Sequence, residues 1–398
     1  MNVDIDLTHH ATIRSFELKS VASIADILAY SDALERIGRE DASFRVLKEL
    51  HANHPSRDSA IRLMSAQCRL GIRDDALTLD LMSSYGDDPV FLAAQSEMDL
   101  IDGRLERGFA SCGHRWSITK GERLLPMLKG SAWTGSYDPD LIVICEQGIG
   151  EEYLFSCTFN DIQHATIGCD PRLIGLFSRS FPQHRFIPKE SIVTETKDYS
   201  SLVEAMDLFR FTGRRCNHEP WLKHNERHAA EIRGQFQSAF PGKLLVGVSW
   251  SSARATLSES KNIPASDLIA LLGRQDCVFV SLQYGDVRGD LAAFREAGHI
   301  VYAMDNIEPT NDQDGLASLI MAMDCVVTCS NSVAHLAGAL GQETHLIAPG
   351  RRFVLWYWGN DGDRTRWYPT IKIHRARQGW KHAIESVSKA IDNKRKVG

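Results

Sequence analysis

From Ser20 to about His114 apolar residues recur every three to four positions and proline is nearly absent, a pattern that predicts successive amphipathic helices. Inside this region Ile37-Gly38-Arg39-Glu40-Asp41-Ala42, Leu70-Gly71-Ile72-Arg73-Asp74-Asp75-Ala76 and Asp102-Gly103-Arg104-Leu105-Glu106-Arg107-Gly108 share a glycine, a charged turn and then a small residue. Their glycines stand 33 and 32 positions apart. Each glycine is placed to end a helix, and each small residue to let the next helix approach. The texture changes between Gly130 and Pro139, where Gly, Ser, Trp, Tyr and Pro gather in a connector. Beyond it, short apolar runs alternate with helical patterns. Strands are predicted at 141–145, 165–169 and 185–188, and, after a polar stretch at 213–235, at 244–250, 278–282, 300–303, 325–329 and 345–348. Helices are predicted from Glu151 and at 172–181, 265–272, 291–297, 315–323, 332–340 and 380–393. Strands apolar along their whole length, each followed by a helix, belong to parallel sheets covered on both faces. The expected organisation is α/β: an all-α repeat region at 1–130, two Rossmann-like halves at 131–240 and 241–378, and a C-terminal helix at 379–398 that packs back on the body. Ligands of such halves bind in the cleft at the carboxyl ends of the strands.

Composition narrows the function. The chain has 398 residues, 43% hydrophobic and 24% charged, which is an ordinary globular balance spread over more than one core. The net charge is −6 with Lys and Arg scattered, so neither nucleic acid nor an anionic membrane is an expected partner. No apolar run approaches the roughly 18 residues of a membrane span, and Met1 to Ser20 lacks the apolar core and cleavage site of a secretory signal. A soluble, cytoplasmic protein is expected. Nine cysteines without Cys-x-x-Cys spacing read as buried reduced thiols. The nearest pair, Cys325 and Cys329, has no zinc ligands around it, so no metal site is expected.

Three clusters at predicted strand ends could carry chemistry. In Gln147-Gly148-Ile149-Gly150-Glu151, glycine would let a ligand approach the backbone and Glu151 could accept a proton from an attacking hydroxyl; the same residues would also make a plain strand-to-helix turn. Cys329-Ser330-Asn331-Ser332 opens a helix whose free N–H groups suit a diphosphate, and His335 on its first turn faces either a ligand or the sheet. After Trp250 come Ser251, Ser252 and Arg254, then Lys261 on the cleft surface. Arg254 and Lys261 could neutralise phosphates or be solvated charges. Gln283 and Tyr284 end another strand and could hold a base or ribose, or form an ordinary turn.

Taken in order, these residues resemble the bacterial tetratricopeptide-repeat glycosyltransferases related to the heptosyltransferase and protein O-GlcNAc transferase families. The resemblance rests on Gly103-Arg-Leu-Glu-Arg-Gly-Phe109, His114-Arg-Trp116, Trp133-x-Gly135, Glu146-Gln-Gly-Ile-Gly150, Gly247-Val-Ser-Trp250, Lys261-x-Ile-Pro264, Ser281-Leu-Gln-Tyr-Gly285, Ala334-His-Leu-Ala-Gly-Ala-Leu-Gly341 and Trp367-Tyr-Pro369. It implies a GT-B fold and a nucleotide-diphosphate sugar as donor substrate, with no separate cofactor or metal. Lys261, Ser251 and Ser252 would hold the diphosphate. Ser330, Asn331, Ser332 and His335 would bind diphosphate or sugar, and Glu151 or His335 would be the base. Transfer would be inverting, to a protein or glycan acceptor, with the repeats presenting that acceptor or a protein partner. Two departures stand out: Glu151 replaces the family's usual Asp, and Ser330-Asn331 replaces the common Asp-Thr. A catalytically weakened nucleotide-sugar-binding scaffold and a nucleotide-sugar epimerase are the competing expectations.

Overall fold

The computed structural model describes residues 10–14, 23–119, 123–194, 199–214, 219–252, 261–350 and 355–397. The chain forms two compact units, Met1–Thr119 with Arg351–Trp356, and Lys120–Gly350 with Tyr357–Gly398. Both sheets fall in the second unit.

The first unit is helical: α1 Ile24–Arg36, α2 Glu40–Asn53, α3 Arg57–Leu70, α4 Asp75–Tyr85, α5 Pro89–Ile101 and α6 Leu105–Ser111. Gly38, Gly71 and Gly103 have φ of 80°, 63° and 79°, the left-handed conformation in which glycine escapes the Cβ penalty. In each case the residue after the glycine donates to a carbonyl five positions back: Arg39 to Leu34 (2.9 Å), Ile72 to Gln67 (3.1 Å) and Arg104 to Asp99 (2.8 Å). The same helix cap thus recurs at the glycine spacing. Phe44, Leu63, Met64, Leu81, Phe91 and Met98 share one apolar cluster. Ion pairs link successive helix pairs, Arg69 with Glu35 and Arg73 with Asp102, both at 2.8 Å; being part-exposed, each is worth at most about 1 kcal/mol.

In the second unit the first sheet has the order β1-β5-β2-β3-β4, with β1 Ser131–Ala132, β2 Leu141–Ile144, β3 Thr166–Cys169, β4 Arg185–Pro188 and β5 Ser201–Glu204, all parallel. The second has the order β11-β10-β9-β6-β7-β8, with β6 Leu244–Ser249, β7 Cys277–Ser281, β8 Val301–Tyr302, β9 Cys325–Cys329, β10 Thr344–Pro349 and β11 Ile371–Ala376, again all parallel. The helices between them are α7 Ile149–Phe155, α8 Ile174–Ser180, α9 Lys189–Thr194, α10 Leu208–Thr212, α11 Glu226–Ala239, α12 Ala265–Leu272, α13 Arg288–Glu296, α14 Gln313–Ala322, α15 Ser332–Leu340 and α16 Trp380–Val397. The central strands β2 and β9 are buried at every position, as strands covered on both faces must be. Three strands were not expected from the pattern: β1, β5 and β11. Nor was α11, which lies largely in the stretch read as polar.

The two sheets are joined through buried polar contacts. The Tyr153 hydroxyl on α7 donates to Gln313 Oε1 on α14 at 2.7 Å. Trp221, in the segment connecting the sheets, donates Nε1 to Ser156 Oγ at 2.9 Å and stacks on Tyr368 with centroids 5.4 Å apart. Its backbone N–H, and that of Leu222, donate to the Ala339 carbonyl at the end of α15. Among the described residues no helix is long and apolar enough to cross a membrane.

Candidate active site

The carboxyl ends of β2, β6, β7 and β9 surround a cavity of about 440 Å³, within the range of small-molecule sites. Gly148, Gly150, Glu151 and Arg172 from the first half line it, with Ser252, Lys261, Tyr284, Ser330, Asn331, Ser332, His335 and Tyr357 from the second. The strand-end clusters at 148–151 and 330–335 therefore meet in one place.

They meet because α7 lies against α15 at a glycine. A Cβ built on Gly150 would stand 3.0 Å from Cδ2 of His335 and 3.6 Å from both its Nε2 and the Ser332 Cα. Glu151 is the third residue of α7 and reaches back over the helix start, its Oε2 3.0 Å from where a Gly148 side chain would begin. Its neighbour Glu152 points the other way. It is fully buried and pairs with Lys189 at 2.8 Å while accepting from the Asp170 N–H at 2.9 Å, and burial raises its pKa. Of the two adjacent carboxylates, only Glu151 faces the cavity.

Asn331 is the N-cap of α15. Its Oδ1 accepts from the N–H groups of Val333 (3.0 Å) and Ala334 (3.3 Å), and its Nδ2 donates to Ser249 Oγ (2.8 Å) and the Ser251 carbonyl (3.0 Å). The side chain is thus consumed in fixing the helix start to β6. What remains is the Ser332 N–H, which has no hydrogen-bond partner among the described residues and stands at the positive end of the helix. Ser330 accepts from Trp358 Nε1 at 2.9 Å.

Gln283 does for β7 what Asn331 does for β9. It is 3% exposed; its Oε1 accepts from Ser249 Oγ, Trp250 N and Ser251 N at 2.8 to 3.0 Å, and its Nε2 donates to the carbonyls of Ser251 and Tyr284. Both polar atoms of the Gln283 side chain are thus engaged by the Ser249 hydroxyl and by backbone groups of the neighbouring turn. Ser251 is held through its backbone, its N–H donating to Gln283 Oε1 and its carbonyl accepting from Asn331 Nδ2. Gln147 is exposed and outside the cavity. It holds φ of 68°, the left-handed region a non-glycine residue enters only when its neighbours impose it, and here the buried Glu146 carboxylate anchors the loop to the N–H groups of Ala205 and Met206. Arg254 lies outside the described residues.

Lys261 lines the cavity but is 4% exposed, so it is a buried cation rather than the surface one expected. Burial, with the Lys261 charge added to it, pushes the His335 imidazole down to about 3. So low a value makes His335 a weak proton acceptor near neutral pH. His335 Nδ1 is 2.7 Å from the Tyr368 hydroxyl, and the ring sits among Tyr357 and Trp358 with centroids 4.6 and 4.8 Å away.

Arg172 was missed. It stands just past the end of β3, held by Asp170 through Nε and Nη2 at 2.8 and 2.7 Å, and it donates Nη1 to the Thr310 carbonyl of the other half at 2.9 Å. Its position beyond a parallel strand was the available signal. Tyr357, Pro309 and Thr310 also line the cavity from loops that carry no pattern.

No known family model matches the sequence. Over 390 residues the chain is 25% identical to Protein FlbA of Caulobacter vibrioides, the match covering 90% of this chain and 64% of that protein. The chain therefore spans a little under two thirds of the length of this curated relative. Among solved structures it is similar to the E. coli ADP-heptose LPS heptosyltransferase II (TM-score 0.44, 10% identity, 64% of this chain and 99% of that one). It is also similar to a family 9 glycosyl transferase from Veillonella parvula (TM-score 0.47, 12% identity, 66% and 98%) and to E. coli heptosyltransferase WaaC with ADP (TM-score 0.40, 12% identity, 64% and 98%).

Proposed function

We propose that this chain is a glycosyltransferase of GT-B type, moving a sugar from a nucleotide-diphosphate donor to a protein or glycan acceptor. The observation that carries the reading is the composition of one cavity: a helix N–H at Ser332 with no partner among the described residues, the buried Lys261 ammonium and the Glu151 carboxylate all belong to residues that line it, at the carboxyl ends of two parallel sheets. A helix start supplies the directional donors that a diphosphate accepts, and an ammonium beside it adds positive charge. In this reading the leaving diphosphate develops charge where Lys261, the Ser332 amide and the Ser252 and Ser330 loops stand ready. Glu151, on the opposite wall, accepts the proton of the attacking hydroxyl. Inversion and independence from a divalent ion follow from the resemblance given above. The helical unit would select the acceptor or a protein partner, and the reaction would be cytoplasmic.

Isothermal titration of the full chain with ADP-, UDP- and GDP-sugars tests this, followed by assay of nucleoside diphosphate release with candidate acceptors. Binding to the wild type that is lost in Lys261→Met supports the reading. A wild type that binds none of the three donors refutes it. Binding without sugar transfer points to the scaffold alternative, and conversion of the donor alone to its epimer points to an epimerase.

A further inference from the structure

His335 has two ring nitrogens with different surroundings. Nδ1 meets the Tyr368 hydroxyl at 2.7 Å. Nε2 has no hydrogen-bond partner among the described residues, although the residue is 3% exposed and lines the cavity beside Gly150, Ser332 and Lys261. The Tyr368 side chain is fully buried, and its hydroxyl has no second partner among the described residues. We propose that Tyr368 is a positioning residue: by donating its hydroxyl hydrogen to Nδ1 it fixes His335 in the form that carries its proton on Nε2. His335 then presents a neutral hydrogen-bond donor to an acceptor oxygen of the ligand and takes no proton from it.

The argument is one of satisfaction. Were Nδ1 to carry the proton and donate to the tyrosine oxygen, the phenolic hydrogen would be left without an acceptor among the described residues in a buried site, the kind of orphan folded proteins avoid. With Tyr368 as donor both buried groups are satisfied, and the ring nitrogen left over is an N–H aimed into the cavity. The rings of Tyr357, Trp358 and Tyr368 surround the imidazole and oppose a ring flip that would exchange the two nitrogens. The choice also makes chemical sense of the neighbours. Lys261 and the Ser332 N–H can only donate, so a third donor completes a site for an electron-rich oxygen. Glu151 remains the proton-accepting group on the opposite wall. The ligand named here, a nucleoside diphosphate or its sugar ester, rests on the function proposed above; the proton position does not.

Two measurements decide it. In the full chain with ¹⁵N-labelled histidine, long-range ¹H–¹⁵N spectra between about pH 6 and 8 report which nitrogen is protonated, the His335 signals being recognised by their loss in His335→Gln. The expected result is a proton on Nε2 throughout, becoming a mixture of the two forms in Tyr368→Phe. A proton on Nδ1 in the wild type, an imidazolium signal at about pH 6, or an unchanged Nε2–H signal in Tyr368→Phe would each overturn the proposal. Affinity for ADP, UDP and GDP is the second readout. His335→Gln keeps a donor near the Nε2 position and should stay within about 3-fold of the wild type, whereas His335→Leu should weaken binding at least about 10-fold. Equal losses in both variants would contradict the donor role. If the wild type binds no nucleoside diphosphate, the functional reading fails while the spectra still settle the proton.

Discussion

Removing Asn331 should cost the second unit heavily for the size of the side chain, and the loss can be worked from its bonds. Asn331→Ala deletes the cap on Val333 and Ala334, worth about 1 kcal/mol. It also deletes two buried donor bonds, to Ser249 Oγ and the Ser251 carbonyl, each worth about 1 kcal/mol. The expected total is about 3 kcal/mol, a large share of a typical folding stability. Asn331→Asp separates the two parts. It keeps the cap, because a carboxylate oxygen accepts from the same N–H groups, but it turns the donor toward the Ser251 carbonyl into a second acceptor. It should therefore lose about 2 kcal/mol and, by placing a negative charge at the helix start, also weaken nucleotide-diphosphate binding. Urea unfolding of the full chain, followed by the fluorescence of buried Trp221, Trp250, Trp358 and Trp367, measures both losses. An alanine variant within about 1 kcal/mol of the wild type would show that these bonds do not hold β6 and α15 together, and the description of the site's scaffold would have to be withdrawn.

Three further outcomes follow from the same geometry. Glu151→Gln should leave donor affinity within about 3-fold while lowering sugar transfer by about 100-fold or more, the usual worth of a general base; a rate near the wild type would move the base elsewhere. Gly338→Ala would place a Cβ 2.5 Å from Cδ1 of Tyr368 and 2.8 Å from Cδ1 of Ile371, so overpacking of about 1 to 3 kcal/mol should outweigh the gain of about 1 kcal/mol in helix propensity. A melting temperature at or above the wild type's would contradict the tight contact between α15 and Tyr368. Burial, with nearby cationic or potentially cationic groups (Lys261 for one, His345 for the other), holds His335 and His374 at about 3, below the 6.5 of an unfolded histidine, so the unfolded chain binds more protons between these values. Stability should fall as pH drops below about 6.5, with a slope approaching about 1.4 kcal/mol per pH unit for each imidazole. His374→Gln should remove one of the two contributions, and a urea midpoint that is flat between about pH 6.5 and 5 would show that these rings are not buried neutral.

What could be read from the sequence was decided by how uniformly a segment is buried. β2, β6 and β9 are apolar along their length because helices cover both faces, and they stood out at once. β11 alternates as Ile371-Lys-Ile-His-Arg-Ala376 because it is the edge strand of its sheet, and β5, with two polar residues in four, falls below any pattern. α11 does not show in the pattern because it buries only Ala229, Ile232 and Phe236, a stripe too narrow to rise above its polar surroundings. The site followed a different logic. Its location was legible, since a parallel sheet leaves its carboxyl ends free and turn residues at 147–151, 251–252 and 330–332 mark those ends. The role of each polar residue was not. Asn331, Gln283 and Ser332 look equally fit to bind a ligand in one dimension. Only the folded structure shows that the two amides spend their hydrogen bonds on neighbouring strands, which is what leaves the Ser332 N–H unspent. A polar turn in this fold therefore divides its labour: the side chains with the most donors and acceptors hold the loops still, and the group free for a ligand is one that no residue-type pattern records.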